Sequence, residues 1–496
     1  MSTEAESGRR SLLQIEEHSI DYIPESERHG KPWQQLWFWF GNGCSLTSAG
    51  IGFIGPSLGL GLAWSVVGTV GGMAFGTVFM ALHANQGPRL GLPQMIQSRA
   101  QFGSRGVVLP LVLAVFIYVS FIVATALFTR SAFNHLFNVN AGIWFYPIFI
   151  AIVVAVAIYG FDWVHAFNRW AGYSGLAFFI AVNILLVMYT SDKGIHEVAA
   201  KFPGFAWTPF LVQFAAAAGY QIAFAIFTAD YTRYLPSKTS APKVIGFVFS
   251  GATLGPAWAG ALGCVVASYF AQPDPIGSFQ DFGNHELSGF GTALIVFTLI
   301  CFVIGLTPLA YGAMLDSITA VDSIKKIRPN ANWRIGAAIF VLIVSSIIAC
   351  AVPDNLVADY NTLVTLILYF LIPWTAINLV DYYLVRRGKY VISELFKPNG
   401  IYGEWNWRGL TAYGIGVAST VPFYNLSFYE GPATKALGGA DISWLVGIVV
   451  SAVVYYVLAR GTVTGETEFL HEEERSHPAM VTSLDASDVG RVATES

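Results

Sequence analysis

The stretch FGNGCSLTSAGIGFIGPSLGLGLAW, residues 40–64, places seven glycines and one proline in a single apolar run. The same run carries the polar residues Asn42, Thr47 and Ser48. Glycine and proline weaken helices, and unwound backbone at membrane depth persists only where protein or a water-filled cavity satisfies its hydrogen bonds. Because the glycines coincide with a proline and with hydroxyl groups, the stretch predicts a broken transmembrane helix. Close packing of helices through small residues is the alternative interpretation.

The composition of the whole chain indicates a polytopic membrane protein. Of its 496 residues, 54% are hydrophobic and only 12% are charged, whereas soluble domains devote about a quarter of their residues to charged side chains. The net charge is −4 and the basic residues are scattered, so we expect no nucleic-acid partner. The four cysteines have no metal-ligand spacing, and we therefore expect no metal site and no cofactor.

Twelve segments satisfy the requirement of a spanning helix for about 20 mainly apolar residues. Numbered as spans 1 to 12, they lie near residues 36–60, 64–86, 107–129, 143–161, 170–190, 208–228, 244–270, 290–315, 334–352, 361–384, 409–428 and 442–460. We predict an all-α fold in which 36–384 form the transport core and 409–460 form two further helices.

The distribution of basic residues predicts the orientation. With the N-terminus inside, the tails and the even-numbered loops hold 23 of the 27 Lys and Arg residues. The positive-inside rule produces such a bias. We therefore expect a multi-pass protein of the plasma membrane with both ends cytoplasmic. Residues 1–35 form the cytoplasmic N-terminal tail, and the polar, acidic residues 461–496 are expected to be a mostly disordered tail. A helix near 466–475 packed against the inner face is the alternative.

Span 6 is the second unusual span. Its middle holds Gly219, Tyr220 and Gln221, and it lies five spans after span 1. Interrupted helices at matching positions in two halves indicate an inverted-repeat transporter with a substrate site near the membrane midplane. We expect Asn42, Thr47 and Ser48 of span 1 to line that site. In span 2, the glycines at 68, 72 and 76 are interpreted as a packing row.

The acidic residues of the spans lie near their predicted cytoplasmic ends, where we expect pairing or snorkelling at the interface: Asp162, Asp230, Asp316 and Asp381. Because no charged residue is near the centre of a span, the pocket should be neutral and lined by aromatic, hydroxyl and amide groups. Such a pocket suits a small uncharged planar solute with hydrogen-bonding edges.

Several segments together resemble one transporter family. They are IDYIPESERHGKPWQQLWFWFGNG (20–43), GFIGPSLGLG in span 1, GPRLGLPQMIQSRAQFG (87–103) and ADYTRYLP at the end of span 6. The chain resembles the purine-cytosine permease branch of the nucleobase:cation symporter-1 family over roughly residues 20–460. The resemblance implies a five-plus-five inverted repeat followed by two helices. It also implies alternating access and import of cytosine, purines, uracil, allantoin, hydantoins or thiamine- and pyridoxine-type vitamins.

The resemblance also implies site positions. On span 3 it points to Phe121 and, four residues later, Thr125, a shorter residue than the family's amide. On span 6 it points to Gly219 and Tyr220, with Tyr220 closing an aromatic sandwich and the adjacent Gln221 as a possible donor. Core packing is the alternative for Phe121.

On span 8 the resemblance points to Thr307 and Pro308, but Gly305 and Leu309 stand where the family carries asparagines. This departure weakens the expectation of cytosine specificity. The stretch 299–305 lacks the Ser and Thr of sodium-coupled relatives, which favours H⁺ over Na⁺ as the coupling ion. An enzyme is not expected, since no paired carboxylates or nucleophile–base pair stand out. A transporter-like sensor that does not move its solute is the alternative, and the oligomeric state is left open.

Overall fold

The computed structural model describes residues 22–159, 175–188, 204–270, 274–327, 331–352, 355–462 and 466–476, and every statement below refers to them. The predicted loop 162–169 and Asp162 lie outside these ranges. Seven of the described helices are long and apolar enough to cross a membrane, and three shorter apolar helices accompany them.

The helices lie where the sequence predicts spans. Spans 2 to 5 are Leu62–Ala84, Val108–Phe137, Phe145–Tyr159 and Gly175–Met188. Spans 7 to 10 are Ala241–Tyr269, Phe290–Ile324, Ala331–Ala351 and Leu356–Val380, and spans 11 and 12 are Trp407–Thr420 and Ser443–Ala459. Spans 3 and 8 extend about two turns beyond their predicted ends.

Span 1 is broken, as predicted. It consists of the helices Trp33–Gly43, Leu46–Ile51 and Ile54–Ser57. The breaks fall at Cys44–Ser45 and Gly52–Phe53, within the glycine-rich stretch.

Span 6 is also discontinuous, but its break lies later than the sequence indicates. Trp207–Ile222 is a regular helix that includes Gly219, and a 3₁₀ turn at Ala223–Ile226 precedes the last helix, Thr228–Thr232. A Cβ atom built on Gly219 would lie 2.4 Å from the Val364 carbonyl oxygen. The glycine therefore permits close approach of span 10 and does not interrupt the helix.

Two rows of glycines, one in each half of the core, allow neighbouring spans to pack with their backbones in contact. In span 2, Cβ atoms built on Gly72 and Gly76 would lie within 2.5 Å of span-6 backbone oxygens, which confirms the predicted packing row. Cβ atoms built on Gly251 and Gly255 of span 7 would lie within 2.3 Å of span-1 backbone oxygens, a row that the sequence analysis missed. Span 2 packs on span 6 as span 7 packs on span 1. A five-plus-five inverted repeat makes span 1 equivalent to span 6 and span 2 equivalent to span 7, so these two contacts are the pair that such a repeat produces.

Spans 3, 4, 8 and 9 pack against one another beside this four-helix unit of spans 1, 2, 6 and 7. The connections after spans 2 and 7 complete the symmetry. Three short helices between Gln86 and Phe102 follow span 2, on the face where Ile23 and Glu466 also lie, here called the terminal face. The helix Pro275–Glu286 follows span 7 on the opposite face.

The connection at 87–103 is more buried than its sequence suggests. Arg99 is only 6% exposed and donates to the Leu395 carbonyl oxygen at 3.2 Å. Burial lowers the pKa of Arg99, and the negative charge of Asp322 opposes that effect. Gln86 donates to Asn378 of span 10 at 2.7 Å, so this connection is part of the packed interior.

Residues 466–476 of the C-terminal segment are described by the structure. The helix Thr467–Ser476, raised above as the alternative to disorder, is present. Glu466 receives two hydrogen bonds from the buried Arg386, of 3.0 and 2.8 Å, and Arg386 also pairs with Asp381. Asp381 is paired, as predicted, and its carboxylate is fully buried.

Candidate functional site

The breaks of span 1 are stabilised by side chains from neighbouring spans. Gln213 of span 6 donates to the Ile51 carbonyl oxygen at 3.0 Å and accepts from the Gly55 backbone N–H. Tyr360 of span 10 donates to the Thr47 carbonyl oxygen at 3.1 Å. Buried backbone groups without partners are costly, so these contacts allow the unwound backbone to persist at membrane depth.

Hydroxyl groups organise the helix that follows the first break. Ser45 is its N-cap and accepts from the Ser48 backbone N–H at 3.2 Å. The Ser45 hydroxyl also lies 2.8 Å from that of Thr47 and 3.0 Å from that of Ser48. Two of the predicted site residues, Thr47 and Ser48, thus belong to one hydroxyl cluster at the break.

A small cavity lies between the broken spans, with a volume of about 10 Å³, room for about one water molecule. Its lining residues are Trp39, Asn42 and Gly43 of span 1, Tyr220, Gln221 and Phe224 of span 6, and Pro256 of span 7. Among these described residues none is charged, so the lining is aromatic and amide in character. Small-molecule pockets typically hold about 300–1,000 Å³, and the cavity must therefore widen to admit a heterocycle.

Tyr220 connects the two broken spans. Its hydroxyl lies 2.8 Å from that of Ser48, and its ring meets the Phe121 ring of span 3 edge to face, with centroids 5.8 Å apart. Edge-to-face packing is a favoured arrangement of aromatic quadrupoles. In this structure the two rings contact each other, and no gap separates them as a sandwich would require.

The predicted residues therefore fall into two groups. Asn42, Tyr220 and Gln221 line the cavity, and Thr47, Ser48 and Phe121 adjoin Tyr220 or its partners. The others lie on spans 3, 6 and 8 and are not among the described residues that line the cavity: Thr125, Gly219, Thr307 and Pro308. Of these, Thr125 is 5% exposed and Thr307 donates to the Val303 carbonyl oxygen at 2.9 Å.

Trp39 and Phe224 are cavity residues that the sequence analysis missed. Their rings meet edge to face with centroids 6.1 Å apart. Helical spacing was the available signal, because Trp39 precedes Asn42 by three residues and Phe224 follows Tyr220 by four. Both therefore share a helix face with a residue that had been identified.

The acids of the spans lie away from the cavity. Asp230 accepts from the Gln94 backbone N–H at 2.7 Å, and Asp381 belongs to the buried network with Arg386. Asp316 differs from both, since its Oδ2 atom is buried without a hydrogen-bond partner among the described residues. Asp316 is half-buried, and no pairing partner for it is found among the described residues.

Comparisons with known proteins agree with this architecture. Residues 22–447 match the family described as permeases for cytosine/purines, uracil, thiamine and allantoin. The putative purine-cytosine permease YxlA of Bacillus subtilis is 35% identical over 90% of this chain and 96% of its own. Solved structures of Mhp1 share the fold. The inward-facing form has a TM-score of 0.73 at 17% identity, with coverage of 96% of this chain and 99% of Mhp1. The closed form with bromovinylhydantoin bound, described as a nucleobase-cation-symport-1 family transporter, has a TM-score of 0.71 at 18% identity, with coverage of 92% and 97%.

The family match, the Bacillus subtilis relative and the shared fold of Mhp1 agree with the two broken spans and the neutral cavity between them. The chain is a multi-pass membrane transporter, not an enzyme, and it belongs to the purine-cytosine permease branch of the nucleobase:cation symporter-1 family.

Proposed function

We propose that this transporter imports a neutral nitrogen heterocycle, a nucleobase such as cytosine or a purine, together with protons. The observation that carries the proposal is the cavity between the broken spans. It presents the rings of Trp39, Tyr220 and Phe224 and the amides of Asn42 and Gln221, with no charged group among its described lining residues. Rings stack on a planar solute, and amides both donate and accept hydrogen bonds along its edge.

Gln221 is the residue best suited to read that edge. It is 2% exposed, its Oε1 atom has no hydrogen-bond partner among the described residues, and its amide nitrogen lies 3.5 Å from the Met80 sulfur. A buried acceptor without a partner is costly. A solute N–H would satisfy it, which favours substrates that carry a donor on a ring or exocyclic nitrogen.

The substrate could belong to another heterocycle class that relatives carry. Gly305 and Leu309 on span 8 supply no amide, and one curated relative, 24% identical over 82% of this chain, is an allantoin permease. Import of allantoin, a hydantoin, thiamine or pyridoxine is therefore the second candidate within the same fold.

Protons are favoured as the coupling ion because the stretch 299–305 of span 8 contains no Ser or Thr whose hydroxyl oxygen would serve as a ligand for Na⁺. The charge bias of the loops further supports a plasma-membrane protein whose terminal face is cytoplasmic.

A competition panel tests the substrate class. Cytosine, adenine, uracil, allantoin, a hydantoin, thiamine and pyridoxine are added to purified protein, and thermal stability reports binding. Uptake of the labelled binders into expressing cells should collapse with a protonophore and persist without sodium. Uptake that is indifferent to both gradients contradicts symport, and binding without uptake indicates a sensor.

Tyr220→Ala tests the site. The variant should reach the membrane and lose binding of the panel compound that stabilises the wild type, because it loses both the ring and the contact with Ser48. Trp407→Ala is the matched control, since this tryptophan is exposed at the start of span 11. Normal affinity in Tyr220→Ala would remove Tyr220 from the site.

A further inference from the structure

The second half of span 8 carries an acid with an unusual environment. Asp316 lies eight residues after Pro308, about 12 Å further along the helix axis. The residue as a whole is half-buried, but its Oδ2 atom is sealed from solvent and has no hydrogen-bond partner among the described residues. Asp322, six residues later on the same helix, has ordinary partners, since it accepts from Lys326 at 3.4 Å and from the Ile327 backbone N–H at 3.1 Å.

Tyr118 of span 3 packs on the part of span 8 that carries this acid. A Cβ atom built on Gly312 would lie 2.8 Å from Tyr118 Cζ and 3.0 Å from its hydroxyl oxygen. Gly312 and Asp316 are four residues apart and thus share one face of the helix. The Tyr118 hydroxyl therefore meets span 8 one turn before Asp316.

Aromatic rings connect Tyr118 to the cavity lining. The Tyr118 ring stacks on Phe227 with centroids 5.6 Å apart, and Phe227 meets Phe224 of the cavity at 5.6 Å. Phe227 lies in the break of span 6, between its 3₁₀ turn and its last helix. Movement at that break when the cavity widens would be transmitted to Tyr118 and from there to the face of Asp316.

The charged and titratable groups around Asp316 do not neutralise it. Asp230, near the end of span 6, is close enough for its charge to interact with that of Asp316. Tyr118 interacts with both acids and with Tyr231. Among the described residues no cation pairs with Asp316. Burying an oxygen of an ionised carboxylate without a cation or a hydrogen-bond donor costs free energy. An ionisable residue within a transmembrane span is therefore by default a candidate for function.

We propose that Asp316 carries the coupled proton, a role that rests on the proposed proton symport. When the site faces outside, the carboxylate takes a proton from a hydronium ion, forming an O–H bond and leaving water. The neutral acid can then be enclosed beside Asp230 while the heterocycle is bound. When the terminal face opens, the O–H bond breaks, the proton passes to water, and the carboxylate is hydrated again. One proton moves inward per cycle and no other bond changes.

Asp316→Asn tests this role in full-length protein reconstituted into liposomes, with Asp322→Asn as the matched control on the same helix. The transported probe is the panel compound that the wild type takes up fastest. Under an inward proton gradient, uphill accumulation by Asp316→Asn should fall about tenfold or more, whereas counterflow exchange of labelled for unlabelled compound should stay within about twofold of the wild type. A pH dye inside the liposomes should report solute-dependent acidification for wild type and Asp322→Asn and none for Asp316→Asn.

A second readout needs no transported solute. Infrared difference spectra between acidic and alkaline pH should show, in wild type and Asp322→Asn, the C=O band of a weakly hydrogen-bonded protonated aspartic acid, at a higher frequency than the band of the solvated carboxyl groups, and Asp316→Asn should lack that component. If the spectra of Asp316→Asn matched those of the wild type, the assignment of the proton to Asp316 would be overturned, whether or not the protein proves to transport the compounds of the panel. Undiminished uphill uptake by Asp316→Asn would overturn it as well. Equal loss of exchange and of accumulation in a well-folded Asp316→Asn would show that Asp316 acts in the site or in packing, and would overturn the carrier role.

Discussion

The two broken helices of the core are broken in different ways. Span 1 contains glycines at its breaks, and its free backbone groups are satisfied by side chains from other spans, notably Gln213 and Tyr360. Span 6 changes to a 3₁₀ turn at Ala223–Ile226 without a glycine or a proline in it, and a local bond from Thr228 to the Phe224 carbonyl oxygen closes the turn. Span 1 therefore depends on its neighbours, whereas span 6 is bent largely by itself.

The comparison predicts the largest effect at Gly52, in the second break of span 1. A Cβ atom there would lie 2.1 Å from the Gly260 carbonyl oxygen of span 7. Gly52→Val should lower the free energy of unfolding by about 3 kcal/mol, because backbone cannot move aside as a side chain can. Thermal melting in detergent measures this loss of stability, and the monodisperse peak in size-exclusion chromatography shows how much of the variant is folded. Gly246→Val, where nothing lies within 4 Å of the added Cβ atom, is the control and should melt like the wild type.

The next largest effect is expected at Gln213. Replacing it with Leu leaves the Ile51 carbonyl and the Gly55 N–H buried without partners, which should cost about 1–3 kcal/mol of stability. Gln221→Leu is a matched comparison on the same helix. It should leave the melting temperature nearly unchanged and weaken binding of the transported heterocycle. Equal melting temperatures for the two variants would contradict the dependence of span 1 on span 6.

Tyr360→Phe should have a smaller effect. It removes the hydrogen bond to the Thr47 carbonyl oxygen but keeps the edge-to-face contact with Phe128, whose centroid is 5.2 Å away. We expect a loss of about 1 kcal/mol. Thermal melting of wild type, Tyr360→Phe and Tyr413→Phe, which loses one bond to Phe370 far from span 1, provides the measurement. Faster hydrogen exchange of residues 45–52 in Tyr360→Phe alone would locate the effect at the break.

The smallest effect is expected in span 6. Thr228→Val removes the local bond to Phe224, and we expect a loss of about 0.5 kcal/mol. Thr319→Val in span 8, which removes the same kind of bond from a regular helix, should change stability even less. A loss for Thr228→Val as large as that for Gln213→Leu would show that span 6 relies on its side chains as much as span 1 does.

The same difference explains what the sequence could predict. Glycines, a proline and hydroxyls predicted the break of span 1, and apolar length predicted the twelve spans. Both signals can be read from one continuous stretch of sequence. The break of span 6 was not predicted, because the residue types of Ala223–Ile226 are all compatible with a regular helix. Gly219 misled for a related reason, because a glycine for close approach and a glycine for unwinding look alike in sequence.

The candidate site was predicted in part. Asn42, Tyr220 and Gln221 were identified and line the cavity, but Trp39 and Phe224 were missed although both follow from helical spacing. Contacts between distant residues could not be predicted. The bonds from Gln213 and Tyr360 to span 1, and the isolation of Asp316, depend on how spans 3, 6, 8 and 10 are placed around one another.

The two glycine rows have a consequence for how the molecule can move. At Gly72, Gly76, Gly251 and Gly255 the backbones of neighbouring spans touch, with no side chain between them. Such contacts have no rotamers to exchange, and sliding them by a fraction of an ångström brings backbone atoms into collision. Spans 1, 2, 6 and 7 should therefore behave as one stiff body. Relative motion is left to surfaces built from rings, such as Tyr118 on Phe227 and Phe128 on Tyr360, which can rotate and slide while staying in contact.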